Sequence, residues 1–406
     1  MTDNSIFKVG ELLVIADKMS GCTGCTACYA VCPTDAIEMK PNKQGFIYPN
    51  INSEMCMECG LCNKTCSLIG SNKNSVIIAY AVRNNSNAVL KKSSSGGASH
   101  ALCKSMIQQG GVVYGVVYTP DYKVITRRAT TLEECEAFHG SKYVQSNPSD
   151  TFSQVCTDLN KGISVLYFGT SCHIDGLLCY LNIKGSNTDK LVTVDLICHG
   201  VPSPKLFSEY IGYINKNNDF FSYDFRTKKL PWGNSEGFGS TISYLNGKQE
   251  VNTDKARLFL NLFNANLCLR PACYNCKYTG ERKPADITIA DYWGISEEHP
   301  DFYCSKGVSA LLIHSHKGED LFNSNDALTY IESTVDKIKK QQINLNRPSI
   351  KGKHYDAFWN CYYKKGFEVA AKKYGKLSYK KKTIKIMKKI RLYNILSAVK
   401  KIFKRI

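Results

Sequence analysis

Between residues 75 and 200 the chain alternates dense apolar runs with glycine-rich or polar breaks. Val76-Ile-Ile-Ala-Tyr-Ala-Val, Val112-Val-Tyr-Gly-Val-Val-Tyr, Ile163-Ser-Val-Leu-Tyr-Phe and Leu191-Val-Thr-Val-Asp-Leu-Ile each predict a buried strand. Residues 99–109 predict a helix ended by Gly110-Gly111. Strands alternating with helical stretches imply an α/β or α+β domain with at least partly parallel pairing, in which ligands collect at loops beyond strand ends. Upstream, Ala36-Ile-Glu-Met and Gly45-Phe-Ile-Tyr predict a hairpin within residues 33–55. Downstream, residues 319–370 read as helical and mixed in charge, ending in an aromatic cluster of Phe358, Trp359, Tyr362 and Tyr363. Leu392, Ile395, Leu396, Val399, Ile402, Phe403 and Ile406 then recur at helical spacing, with Lys400, Lys401, Lys404 and Arg405 on the other face, which predicts a basic amphipathic C-terminal helix.

Charge changes the meaning of that tail. The 406 residues carry 53 Lys+Arg against 35 Asp+Glu, a net +18, but 14 of the basic residues and no acidic ones lie in 371–406. The remaining body is only +4. A nucleic-acid surface is therefore not expected: the excess sits on an appendage whose apolar stripe such binding would leave exposed. An anionic membrane surface suits residues 377–406 better, each basic residue contributing roughly 1 kcal/mol, and docking on the protein's own body or on a partner is the alternative. No apolar run approaches the roughly 20 residues of a spanning helix. The N-terminus lacks the pattern of a secretory leader, so the expected location is cytoplasmic, with the tail peripheral on the inner face of a membrane.

A reducing compartment makes the 19 cysteines candidates for metal or redox chemistry rather than disulfides. Cys22, Cys25, Cys28 and Cys32, followed by Pro33, give C-x2-C-x2-C-x3-C-P, and Cys56, Cys59, Cys62 and Cys66 repeat the spacing with Ser67 in place of the proline. This is the bacterial pattern for two 4Fe-4S clusters, in which the fourth cysteine of each run ligates the other cluster. One cluster is expected on Cys22, Cys25, Cys28 and Cys66, the other on Cys56, Cys59, Cys62 and Cys32. Structural zinc, the alternative for paired C-x2-C, normally uses two pairs across a longer loop.

In the central region the unusual residues sit at predicted strand ends. Ser93-Ser94-Ser95-Gly96-Gly97 is a hydroxyl- and glycine-rich turn opening a helix, where a phosphate would meet backbone amides, although an ordinary turn has the same look. Lys142 stands among hydroxyls in Gly140-Ser-Lys-Tyr-Val-Gln-Ser and suits an anionic cofactor, as a solvated loop also would. Cys172 and Cys198 each follow a predicted strand, and Cys273 and Cys276 form a further C-x2-C; together they are candidates for a third 4Fe-4S site, with Cys268 in reserve. Cys103, Cys135, Cys156, Cys179, Cys304 and Cys361 read as buried free thiols.

Six segments in order carry a specific resemblance: Gly140-Ser-Lys-Tyr-Val-Gln-Ser, Phe168-Gly-Thr-Ser-Cys-His, Cys198-His-Gly-Val-Pro-Ser-Pro, Phe225-Arg-Thr-Lys with Trp232-Gly233, Arg270-Pro-Ala-Cys-Tyr-Asn-Cys and Ala285-Asp-Ile-Thr-Ile-Ala-Asp-Tyr-Trp-Gly. Over residues 79–318 the chain resembles the coenzyme F420 hydrogenase/dehydrogenase beta-subunit family, with a dicluster ferredoxin module in front. The resemblance implies a central domain that binds FAD beside a 4Fe-4S cluster. By position it matches Cys172, Cys198, Cys273 and Cys276 to the cluster, and Ser93, Ser94, Ser95, Gly96, Gly97 and Lys142 to the flavin region. Ser171, His173 and Ala290 depart from the proline, glutamine and glycine usual there, and the hydride partner, with coenzyme F420 as one candidate, does not follow. His173 and His199 are candidate acid–base groups, though a histidine in such a loop more often only holds it, and Asp291 and Trp293 are candidates for acid–base or stacking roles.

The expected organisation is a ferredoxin-like dicluster module at 1–72, a mixed α/β flavin-binding domain at 73–330, a helical extension at 331–371 and the basic amphipathic tail at 372–406. The expected function is that of an iron–sulfur flavoprotein oxidoreductase exchanging electrons with a redox partner protein or carrier. The alternative is a non-catalytic polyferredoxin relay subunit of a larger redox complex.

Overall fold

The computed structural model describes residues 21–68, 73–217, 219–233 and 238–376. Its strands are β1 (Ile37–Pro41), β2 (Ile47–Ile51), β3 (Ile78–Asn84), β4 (Val112–Tyr118), β5 (Val124–Ala129), β6 (Val165–Phe168), β7 (Leu191–Leu196), β8 (Phe220–Asp224), β9 (Thr241–Tyr244), β10 (Gln249–Val251), β11 (Ile287–Asp291), β12 (Ser309–Ile313) and β13 (Leu328–Ser333). Eight of them form one mixed sheet in the order β13-β3-β12-β11-β7-β6-β4-β5. Its centre, β11-β7-β6-β4, is parallel, and the flanking pairs are antiparallel.

The apolar runs lie in this sheet because both of its faces are covered. β4 turns Val113 toward a core shared with the helices Ala98–Gln108 and His316–Asn323. Its neighbours Val112 and Tyr114 face the helices Thr151–Asn160 and Ser171–Ile183. β6 divides Leu166 from Val165 and Tyr167 in the same way, and each fully buried side chain of this kind contributes roughly 1.5–3 kcal/mol. A second core gathers the helices Pro204–Ile214, Leu258–Asn264 and Tyr355–Tyr374 with the small antiparallel sheet β10-β9-β8. The aromatic cluster belongs there: Phe358, Trp359 and Tyr362 are buried, whereas Tyr363 is exposed. The last helix kinks at Gly366, which has a left-handed φ of 76°.

The N-terminal segment adds the hairpin β1–β2, within the 33–55 stretch where the sequence predicts one, and two short helices, Ala27–Val31 and Leu61–Lys64. Ala27 and Val31 are buried in the core of Thr151–Asn160 and Ser171–Ile183, so this segment shares apolar packing with the main sheet.

The helical reading of 319–370 needs correction. β13 lies inside it, pairs antiparallel with β3 along six residues, and runs across the expected 330/331 boundary. It is the edge strand of the sheet, and its polar Thr329, Glu332 and Ser333 mask the strand pattern. The basic amphipathic helix expected over 372–406 lies almost wholly outside the described residues. Among the described residues no helix is long and apolar enough to cross a membrane.

Candidate iron–sulfur centres and the adjoining cleft

The two N-terminal cysteine runs adopt the same backbone. Left-handed φ angles occur two and four residues after the first cysteine of each: Gly24 (66°) and Thr26 (68°) after Cys22, and Glu58 (52°) and Gly60 (69°) after Cys56. Each pair of reversals curls the chain, so that the thiols of a run converge and a short helix leads away from the turn. Sequence reasoning anticipates glycine at such places but not Thr26 or Glu58. Thr26 is buried, and its hydroxyl has no hydrogen-bond partner.

The thiols meet across the runs. Burial pushes the Cys28 thiol well above its ordinary pKa, with help from Cys25, Cys22, Cys66 and Cys62. Burial likewise pushes Cys66 up to about 11, with Cys25 and Cys22 as its thiol neighbours. Cys62, raised mainly by burial, has Cys59 and Cys32 beside it. Cys66 thus lies with Cys22, Cys25 and Cys28 of the first run, and Cys32 lies beside Cys62 of the second. Such crowding is unfavourable for bare thiolates and favourable around a cation, which reverses the sign of the local charge. A single tetrahedral zinc would hold sulfurs about 3.8 Å apart. Among the described residues, no group of three metal-ligating side chains within 4.8 Å of one another contains a cysteine.

A second cage stands at the end of the parallel strands. Cys172 follows β6 at the start of the helix Ser171–Ile183, Cys198 follows β7, and Cys273 and Cys276 lie on and just after the short 3-10 helix Pro271–Asn275. Burial raises all of the first three, Cys198 and Cys273 to about 12, and each feels Cys276 as well. Two backbone amides point at sulfur: Gly200 N–H toward Cys198 Sγ at 3.3 Å and Val201 N–H toward Cys273 Sγ at 3.4 Å. Below them Asp195 accepts hydrogen bonds from Ser171 Oγ and Thr288 Oγ1, both at 2.5 Å, and fastens β7 to its neighbours. Cys268 is wholly buried in the aromatic core, where burial alone raises its thiol. Of the remaining thiols, Cys103 and Cys135 hydrogen-bond to each other.

The two cages are neighbours. Cys25 packs on the helix Ser171–Ile183, where a Cβ on Gly176 would come within 2.8 Å of Cys25 Sγ, so this contact requires glycine. Its charge also reaches the Cys172 thiol. Arg270 binds the first run from below, donating to the carbonyls of Cys22 (2.8 Å) and Ile47 (3.0 Å) and to Gln145 Oε1 (3.0 Å), with its guanidinium 4.2 Å from the centre of the Tyr48 ring. Lys277 donates to the Ser67 carbonyl and pairs with Asp175 at 3.5 Å, while Tyr278 donates to Asp175 at 2.5 Å. Arg270 heads one of the six segments that carry the resemblance, but its contact with the first run is not signalled there, and Gly176, Asp175 and Tyr278 do not stand out in the sequence. The one available signal is their closeness along the chain to Cys172, Cys273 and Cys276.

At the same end of the sheet a cleft is lined by Ser94, Arg226, Lys228, Trp232, Phe238 and Trp293, among others. Trp232 and Trp293 stack at 5.2 Å and 11°, and Phe238 stacks on Trp293 at 5.8 Å. Arg226 forms a buried bidentate pair with Asp291 (2.8 and 3.0 Å) and donates to the Ser94 carbonyl (3.1 Å) and Tyr143 (3.0 Å). Trp232 Nε1–H also donates to Asp291, at 2.9 Å, so the carboxylate holds the cleft wall together.

Measured against this cleft, the predicted flavin residues divide. Gly96 sits so close to β3 and β12 that a Cβ would fall 2.5 Å from the Val82 carbonyl, which gives the glycine turn a packing role. Ser93 donates to Val89 O and Ser95 to Val308 O, while Ser94 receives Ser141 N–H and still lines the cleft. Lys142 turns its amine to the carbonyls of His139, Gly140 and Phe138, and burial lowers it to about 7. His173 is buried and held neutral, at about 4. Both ring nitrogens of His199 meet amide oxygens, of Asn266 at 2.6 Å and Asn344 at 3.2 Å, which suits a residue that holds the Cys198 loop.

Comparison with known proteins bears on this architecture. The family model described as "Coenzyme F420 hydrogenase/dehydrogenase, beta subunit N-term" matches residues 79–151, and its C-terminal counterpart matches 163–338, together more than half of the chain. The chain belongs to the coenzyme F420 hydrogenase/dehydrogenase beta-subunit family. A 4Fe-4S dicluster domain matches residues 21–68, the segment with the doubled cysteine runs. This beta-subunit relative is therefore an iron–sulfur redox protein. No curated protein shows a significant match. Among solved structures, a chain of the F420-reducing [NiFe] hydrogenase complex from Methanosarcina barkeri is 17% identical, with a TM-score of 0.45, over 69% of this chain and 97% of that one.

Proposed function

We propose that this protein is an iron–sulfur flavoprotein oxidoreductase that passes electrons between its N-terminal 4Fe-4S clusters and an FAD held at the Trp232–Trp293 cleft. Cys22, Cys25, Cys28 and Cys66 hold one cluster, Cys56, Cys59, Cys62 and Cys32 a second, and Cys172, Cys198, Cys273 and Cys276 a third between them and the cleft. The observation that carries the reading is the seating of Cys25 on Gly176, one turn beyond Cys172 in the helix Ser171–Ile183, which supports an electron path between the two groups of thiols. The cleft suits an aromatic, anionic cofactor: Trp232, Trp293 and Phe238 line it with aromatic surface, Lys228 supplies a positive charge that no carboxylate among the described residues pairs at hydrogen-bond distance, and Asp291 fixes Arg226 and Trp232 in place. Flavin supplies hydride and single-electron chemistry, and the protein's part is to bind, orient and set potentials. Coenzyme F420 or a related carrier is the proposed hydride partner, and a separate redox protein the proposed electron partner. Residues 377–406 are proposed to hold the protein on an anionic membrane surface.

A relay subunit without flavin is the second reading. It is favoured by the turn at 93–97, where packing explains Gly96 and other protein groups occupy the serine hydroxyls. Anaerobic purification of the full chain followed by cofactor and metal analysis decides between them. Releasable FAD with about twelve irons supports the first, at four irons for each cubane. Iron without flavin supports the second.

A further inference from the structure

Three side chains that the redox reading leaves unused meet beside the glycine turn. His100 lies on the first turn of the helix Ala98–Gln108, Glu136 opens the 3-10 helix Glu136–Phe138, and His139 follows it. One donor atom from each lies within 4.8 Å of the others, and among the described residues this is the one group of metal-ligating side chains so placed. His100 Nε2 stands 3.5 Å from Glu136 Oε1. That is longer than the usual hydrogen bond of about 2.7–3.2 Å. It matches the edge, about 3.4 Å, of a tetrahedron whose ligands lie about 2.0–2.1 Å from a zinc ion.

The surroundings favour an ion over a hydrogen-bonded triad. The His139 side chain is only 9% exposed, and neither of its ring nitrogens has a hydrogen-bond partner; His100 Nδ1 also lacks one. Leaving a buried polar atom unmatched costs about 1–3 kcal/mol, and a metal would use the unmatched imidazole lone pair. Lys92 takes the other carboxylate oxygen, Oε2, at 2.6 Å, which fixes the carboxylate and leaves Oε1 toward His100. A carboxylate oriented by an outer partner in this way is the usual support of a ligand.

We propose that His100, Glu136 and His139 form a binding site for a divalent zinc-class ion, separate from the cysteine cages. Two imidazoles and a carboxylate are a donor set that zinc accepts, with the fourth position open to water. The ion would clip the helix Ala98–Gln108 to the segment 136–139, next to the bond of Ser141 N–H to Ser94 Oγ at 2.7 Å that joins the 93–97 turn to the following loop.

The test uses the full-length protein, purified anaerobically with its iron, incubated with micromolar zinc and desalted. About one zinc per chain is expected, with a zinc-edge absorption spectrum showing nitrogen and oxygen ligands at about 2.0–2.1 Å and no sulfur at about 2.3 Å. The double variant His100→Ala/His139→Ala should lose that zinc at least tenfold while iron per chain stays constant. If that variant also loses iron, Glu136→Gln decides, because it changes a partly exposed side chain at constant size, and it too should lose the zinc. Failure to bind zinc, sulfur ligation, or undiminished zinc in Glu136→Gln would each overturn the site.

Discussion

Arg270 donates its Nε–H to the carbonyl of Cys22 at 2.8 Å, and its Nη2 lies 3.6 Å from the Cys22 sulfur. A residue three positions before Cys273 thereby places its charge against the first thiol of the N-terminal module. The contact docks the module and biases its redox state, since a cation near a cluster favours the more negative, reduced form. A unit charge at about 8 Å and an effective dielectric of about 20 is worth roughly 2 kcal/mol, on the order of 100 mV for one electron. Arg270→Gln should therefore lower the midpoint potential of one N-terminal cluster by tens of millivolts with little change in iron content. Redox titration followed by electron paramagnetic resonance reads this directly, and an unmoved potential would reject the role.

The cross-run grouping of thiols makes a pairing prediction. Cys66→Ala should remove the same cluster signal as Cys22→Ala, although Cys66 lies in the second run. Cys32→Ala should match Cys56→Ala. Each variant should lose about four irons, and pairing within runs instead would contradict the convergence of Cys66 on Cys22 and Cys25.

Legibility follows how local each feature is. The N-terminal runs are readable because their cysteines recur at one short spacing, and the structure repeats that regularity in the left-handed pairs Gly24 and Thr26, and Glu58 and Gly60. The central cage spans Cys172 to Cys276, and only the order β11-β7-β6 brings its members together, so spacing alone does not identify it. The central strands are readable because burial on both faces demands apolar runs. β13 is not, because an edge strand with Thr329 and Glu332 outside carries too little of that signal. Arg270 and Gly176 are legible only as contacts, since nothing in their local sequence distinguishes a docking arginine or an intimate glycine from an ordinary one.

Gly176 offers a steric test of the docking surface. A Cβ there would lie 2.8 Å from Cys25 Sγ and 2.9 Å from Cys25 Cβ. Gly176→Ala gains helix propensity of up to about 1 kcal/mol but overpacks at a cost of about 1–3 kcal/mol. The expected result is faster bleaching of cluster absorbance by oxygen or chelator than in the unmodified protein. Gly212→Ala, in the helix Pro204–Ile214 with nothing within 4 Å of the new Cβ, is the control and should bleach no faster.

Lys228 should make anion binding in the cleft depend on pH. Burial, with Arg226 beside it, lowers its amine to about 8, against the opposing pull of Asp291, Cys304 and Asp224. Below that value the lysine, which lines the cleft with its amine donating to the Lys306 and Ser95 carbonyls, is a cation, and above it the charge is lost, so affinity for an anionic cofactor falls as pH rises. Between pH 7 and 9 the protonated fraction drops about tenfold, and the dissociation constant of FAD, measured by fluorescence quenching on flavin-depleted protein, should rise by up to that factor. Lys228→Arg keeps its charge across the range and should flatten the profile at high affinity. Lys228→Met should flatten it at low affinity, because removing the cation leaves only Arg226, already neutralised by Asp291, to meet the phosphates. A pH-independent constant in the unmodified protein would place the flavin phosphates away from Lys228.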